Sequence, residues 1–223
     1  MCDHSPFGRE PKRGRIDGSP DQALEAVYGS GDGKEAMNLV MVTGGIRSGK
    51  TDYSERYLLE NGSSPYFYLP TALPGDPLWE ARILLHQAKR APRFIILEIE
   101  PAALLKTADT GEVLKDHIMH SLTVEGSLLL DSLGLLVAAC LGENDAIWQG
   151  TVNSILEALK RRTHLTVLVA EEVGMSLVPE SREGRLFTDR LGEFRQVIAG
   201  LSREVIFVLS GLPLILKTQS SSG

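Results

Sequence analysis

The sequence predicts an α/β fold, a mostly parallel sheet with crossover helices built around a phosphate-binding loop. Three observations predict it. Short apolar runs recur along the chain with amphipathic stretches between them. The first run ends in GGIRSGKT, residues 44–51, which fits G-x-x-x-x-G-K-[ST]. A helical pattern follows at once, giving the glycine-rich turn the strand-before, helix-after context that a phosphate loop needs.

Each element has its own warrant. NLVMVT, from Asn38, is apolar throughout and bounded by glycine, so it reads as a buried strand. TDYSERYLLE places Tyr53, Tyr57 and Leu58 at helical spacing. SPYFYLP reads as a second strand. Residues 76–90, DPLWEARILLHQAKR, read as a helix with Leu78, Ile83 and Leu84 inward and Glu80, Arg82 and Lys89 in water. RFIILEI is a strand, and residues 101–125 are helix plus loop without a clear boundary. SLLLDSL is a strand, residues 150–162 a helix, and LTVLVAEEVG a strand. RLFTDRLGEFRQVIAGL is a long amphipathic helix, and REVIFVLSGLPLILK is a last strand or a final hairpin. No internal repeat is present.

Residues 1–36 differ from the rest. They are rich in glycine, proline and charge, with one short helical stretch at 21–28, and they read as a disordered extension. Met37 stands directly before the first strand and is a candidate start of translation. Residues 37–217 form the predicted catalytic domain, and 218–223 a disordered tail.

Composition narrows the function. Of 223 residues 43% are hydrophobic and 23% charged, enough for one domain with a core. The formal charge of −6 argues against a broad nucleic-acid-binding face. Two cysteines, Cys2 and Cys140, make neither a disulfide framework nor a zinc cluster. With no signal-like or membrane-spanning apolar run, the predicted setting is the cytoplasm.

The phosphate loop carries the chemistry. Gly44 and Gly49 allow torsions and close approach that a Cβ would block. Successive N–H groups of Gly45, Ile46, Arg47 and Ser48 then turn inward as an anion nest, and the helix dipole adds to it. Lys50 brings a point charge to the β and γ oxygens. The Thr51 hydroxyl suits Mg²⁺, which takes oxygen ligands. The metal calls for a further carboxylate. Asp131 ends the strand SLLLD, at the edge where parallel sheets bind ligands, and Glu171 and Glu172 are its rivals.

Of five histidines, His4 lies in the extension and His164 begins a strand. His117 and His120 lack flanking metal ligands. His86 is flanked by Arg82 and Arg90, each four residues away on one helix face. Two guanidiniums there suit phosphate and favour a neutral, nucleophilic imidazole. By pattern alone a solvated helix face is the better explanation of His86.

MVTGGIRSGKT, ARILLHQAKR, EEVGMSLVPE, RLFTDRLGEFRQ and EVIFVLSGLPLILK, in that order, resemble the bifunctional adenosylcobinamide kinase/adenosylcobinamide-phosphate guanylyltransferase family of cobalamin biosynthesis. The resemblance spans residues 38–217. The loop is generic, whereas R-I-x-x-H-x-x-x-R and E-V-G-x-x-x-V-P are specific. It implies a RecA-like fold and two reactions. One phosphorylates adenosylcobinamide with ATP or GTP. The other moves GMP from GTP onto that phosphate through a GMP–histidine, with His86 at the matching position. The implied catalytic residues are His86 and Lys50. The implied nucleotide-binding residues are Gly44, Gly45, Ile46, Arg47, Ser48, Gly49, Lys50, Thr51, Thr71, Gln87, Ala88, Lys89, Arg90, Glu98 and Asp131, with Thr51 and Asp131 on Mg²⁺. The implied partners are a corrinoid, nucleoside triphosphates and two further copies in a homotrimer, with no nucleic acid.

Several positions depart from the family pattern. Glu171 stands where Asn is usual, Ser176 where Gly is usual, Phe94 where Trp is usual, and Arg195 where Asn is frequent; DSLG replaces Asp-Cys-Leu-Thr. A carboxylate near phosphates calls for a compensating metal or arginine. Two other readings stand beside the bifunctional one. One is a member retaining a single activity. The other is a non-catalytic P-loop protein acting through nucleotide-dependent interactions.

Overall fold

A computed structural model describes residues 37–72, 93–99 and 109–218. The extension 1–36, the helix expected at 76–90 and the tail 219–223 lie outside the described residues. The elements are β1 (Met37–Gly44), α1 (Lys50–Asn61), β2 (Tyr66–Pro70), β3 (Ile95–Ile96), α2 (Thr110–Ser121), β4 (Ser127–Asp131), α3 (Leu133–Ala139), α4 (Asp145–Arg161), β5 (Thr166–Glu171), α5 (Arg182–Leu201), β6 (Ser202–Leu209) and β7 (Leu212–Thr218). The seven strands form one sheet in the order β3-β2-β4-β5-β1-β6-β7. All neighbours are parallel except β6 and β7. This is the mostly parallel sheet with flanking helices that the sequence predicts.

Burial explains the order. β1, β4 and β5 sit in the middle, and their apolar runs are buried on both faces. On one face Val40, Val42, Leu129, Val167, Val169, Ile206 and Val208 pack with Tyr57 and Leu58 of α1. Leu39 and Met41 alternate to the other face, where β1 meets α4 and α5. The Trp148 and Phe194 rings join those two helices edge to face, 5.9 Å apart. Buried Arg190 lies over Trp148 and donates to the carbonyls of Cys140 and Glu143.

Three elements depart from the sequence expectation. RFIILEI gives a ladder of only two residues, and among the described residues β3 is an edge with a single partner, β2. SLLLDSL stops as a strand at Asp131, and Leu133 opens the helix α3. α4 begins five residues before the expected 150, since the Asn144 side chain caps it by accepting from Ile147 N. In the ambiguous segment, Asp109 accepts from Glu112 N and starts α2. The C-terminal alternatives resolve to a hairpin, with Ser210 and Gly211 at positive φ in its two-residue turn. Among the described residues, no helix is long and apolar enough to cross a membrane.

Candidate active site

The carboxyl ends of β5, β1 and β6 lie side by side, and the phosphate loop rises from the middle one. Gly44 ends β1 beside Glu171, its register partner on β5. A Cβ on Gly44 would stand 2.5 Å from the Val208 carbonyl and 2.6 Å from Ser48 Oγ, so β6 leaves no room for one. Ser48 N–H donates to the Gly45 carbonyl at 3.2 Å, closing the turn. Arg47 and Gly49 take left-handed torsions, with φ of 57° and 90°. The hairpin turn supports the loop from beneath. Gly211 N–H donates to the Ser48 carbonyl at 2.8 Å.

Gly49 caps α1 without a side chain, so no capping side chain occupies its first-turn N–H groups. Such an end accepts an anion. Lys50 Nζ donates to the Gly45 carbonyl at 3.2 Å, which folds the ammonium over the loop. The buried Ser48 hydroxyl has no partner among the described residues.

Thr51 follows, on the first turn of α1. Its hydroxyl donates to Asp131 Oδ2 at 3.0 Å, and the Tyr68 phenol donates to the same oxygen at 2.8 Å. Asp131 therefore stands against the helix that carries Lys50. A hydroxyl and a carboxylate side by side are the oxygen donors Mg²⁺ takes, and this pair fits the ion.

The rival glutamates are used elsewhere. Glu171 Oε1 accepts from the Ser132 hydroxyl, and Oε2 accepts from Gly134 N at 3.0 Å on the first turn of α3. The carboxylate that replaces the family's usual Asn is thus answered by a hydroxyl and a helix N–H rather than by a metal or arginine. Glu172 N–H donates to the Gly44 carbonyl at 3.0 Å. Its carboxylate pairs with Arg195 and accepts from Gly174 N at 2.7 Å. Burial alone would raise the Glu172 carboxyl, but these bonds outweigh it and hold the group below the usual range.

Thr71 is fully buried, and its hydroxyl is committed to Ser132. It donates to the Ser132 carbonyl and accepts from Ser132 N–H, each at 2.7 Å. Glu98 leaves the same edge of the sheet, two residues after β3, and is exposed. His86, Gln87, Ala88, Lys89 and Arg90 lie outside the described residues. The sequence reading did not single out Tyr68, Ser132 or Gly211. A tyrosine on a buried strand needs a partner for its hydroxyl, and that signal was present in SPYFYLP. Ser132 and Gly211 act through partners distant in sequence.

An open helix N-terminus, a lysine folded over it, and a Thr–Asp pair beside it define a P-loop nucleotide-binding protein. The family model described as CobU, cobinamide kinase / cobinamide phosphate guanyltransferase, matches residues 40–216, and the chain belongs to that family. It is 32% identical over 182 residues to the bifunctional adenosylcobalamin biosynthesis protein CobP of Pseudomonas aeruginosa, covering 79% of this chain and 96% of the relative. It is 30% identical over 194 residues to CobU of Salmonella typhimurium, covering 80% and 99%. Among solved structures it is similar to a KaiC-like protein of Pyrococcus horikoshii, with a TM-score of 0.46 at 15% identity over 83% of this chain and 82% of that one.

Proposed function

We propose that the chain phosphorylates adenosylcobinamide with ATP or GTP and then transfers GMP from GTP to the product, giving adenosylcobinamide-GDP. The observation that carries this reading is the Thr51–Asp131 pair at 3.0 Å beside the open end of α1, in a chain of this family. Both reactions are substitutions at phosphorus, in which positioning and charge stabilisation supply most of the catalysis. Lys50 and the loop N–H groups hold the β and γ oxygens. Thr51 and Asp131 would hold Mg²⁺, which neutralises charge on the phosphates.

In the first reaction the corrinoid hydroxyl attacks the γ-phosphorus, the bond to the bridging oxygen breaks, and the nucleoside diphosphate leaves. In the second, a ring nitrogen of His86 attacks the α-phosphorus of GTP and pyrophosphate leaves. A phosphate oxygen of adenosylcobinamide phosphate then attacks the same phosphorus and breaks the P–N bond. Two steps spare the two anionic substrates a direct attack on each other. The remaining family positions, Thr71, Gln87, Ala88, Lys89, Arg90 and Glu98, are assigned to the nucleotide on the same reading.

Assembly as a homotrimer belongs to this proposal. Its support is β7, an edge strand whose Leu212, Leu214, Ile215 and Leu216 are all exposed. The cytoplasm, where nucleoside triphosphates are held, is the proposed setting.

The test is incubation with Mg²⁺ and GTP labelled at the α-phosphate, followed by denaturing separation and acid. Label stable at neutral pH and released by acid is expected, with none on His86→Ala and kinase activity retained by that variant. Label persisting on His86→Ala would place the covalent residue elsewhere. Absence of label on the parent protein, with GTP bound, would leave a kinase alone or a non-catalytic binder.

A further inference from the structure

The segment after β5 is pinned at both ends and apolar in between. At its start, Glu172 N–H is bonded to Gly44 of the phosphate loop, and the Glu172 carboxylate is held by Arg195 and Gly174 N. Ser176 Oγ donates to the Val173 carbonyl at 2.8 Å. At its end, Arg185 Nη1 donates to the carbonyls of Pro179 and Glu180 at 3.0 and 2.6 Å. Between these anchors Met175, Leu177 and Val178 are 79%, 93% and 78% exposed. On the adjacent strand end, Ile46 of the phosphate loop itself is 90% exposed. Isolated surface apolar residues need no explanation, but four nearly bare ones at one edge of a ligand crevice do.

We infer that Met175, Leu177, Val178 and Ile46 seat the corrin ring of the substrate. The inference rests on the cobinamide reading above. A corrinoid is a broad macrocycle with apolar faces, and the group to be phosphorylated hangs from it on a side arm. Its body must lie outside the phosphate crevice while the arm reaches in. The apolar segment meets that requirement because it starts at the residue bonded to Gly44, beside the phosphate loop, and its apolar side chains are exposed. A second copy of the chain has a separate apolar edge available in β7, on the far side of β6.

The test compares the parent protein with Leu177→Ser/Val178→Ser and with the conservative Leu177→Met/Val178→Ile. Corrinoid binding is read by equilibrium dialysis from the ligand's visible colour. Kinase kinetics and solution mass are measured alongside. The serine variant is expected to raise the corrinoid KM about tenfold or more, as loss of two apolar contacts implies. Its kcat and GTP KM should stay within about twofold, and the conservative variant should restore the corrinoid KM. An unchanged corrinoid KM, an equal rise in GTP KM, or a lower solution mass would overturn the inference, the last by giving this face to a second copy. A parent protein that binds corrinoid without phosphorylating it would refute the kinase reading, and dialysis of the variants would still decide the seat. A parent protein that binds no corrinoid would refute both.

Discussion

At the amino ends of β4 and β5, Arg162 donates to the carbonyls of Leu122, Val124 and Gly126 and to the Thr166 hydroxyl, all between 2.7 and 2.9 Å. At the carboxyl end of β1, Lys50 gives the protein a single bond, to a loop carbonyl, among the described residues. Both are long cations beside backbone carbonyl oxygens. One spends its donors on tying chain segments together, and the other keeps donors in reserve. A cation with its donors spent on the chain is structural, whereas one held back beside an uncapped helix end is available to a ligand.

The largest effect expected from this contrast is on Lys50→Ala. It should lower kcat/KM for nucleotide by roughly 10²–10³-fold, the scale of losing one preorganised charge stabiliser. The melting temperature should hardly move. A melting loss as large as the activity loss would erase the distinction between the two ends. Arg162→Ala should do the reverse. Three carbonyls lose their donor together, at about 3 kcal/mol, or roughly 10 °C in melting temperature for a domain of this size. Its nucleotide KM below the new melting point should match the parent's, and a raised KM would show that the amino end is coupled to the site. The smallest effect belongs to Tyr68→Phe, which removes one of the two bonds on Asp131 Oδ2. Half-saturation of activity with Mg²⁺ should shift upward by about fivefold, corresponding to about 1 kcal/mol. No shift would mean that Thr51 alone orients the carboxylate.

The difference between the ends also marks how far the sequence could be read. The phosphate loop was legible because its requirements are local: a strand, two glycines, a lysine and a helix in one stretch. The central strands were legible because burial on both faces leaves a continuous apolar run. α3 was not, since Leu133 prolongs the run SLLLDSL. What ends the strand is Ser132, tied to Thr71 just past β2 and to Glu171 of β5. The two adjacent glutamates could be flagged as charge near phosphate, but Glu171 is answered from α3 and Glu172 is paired with Arg195 of α5, beyond any local pattern. The apolar run of β7 looked like the run of β5, yet one is exposed and the other buried. The apolar composition of a strand does not by itself report whether its own core covers it.

The crowding around Gly44 bears on how such motifs are inherited. Its missing side chain is demanded by Val208 and Ser48, which belong to the fold, before any phosphate arrives. A descendant that had abandoned nucleotides altogether would still be held to glycine there, while position 50 drifted freely. The first letter of the motif therefore testifies to ancestry, and only the lysine testifies to present work.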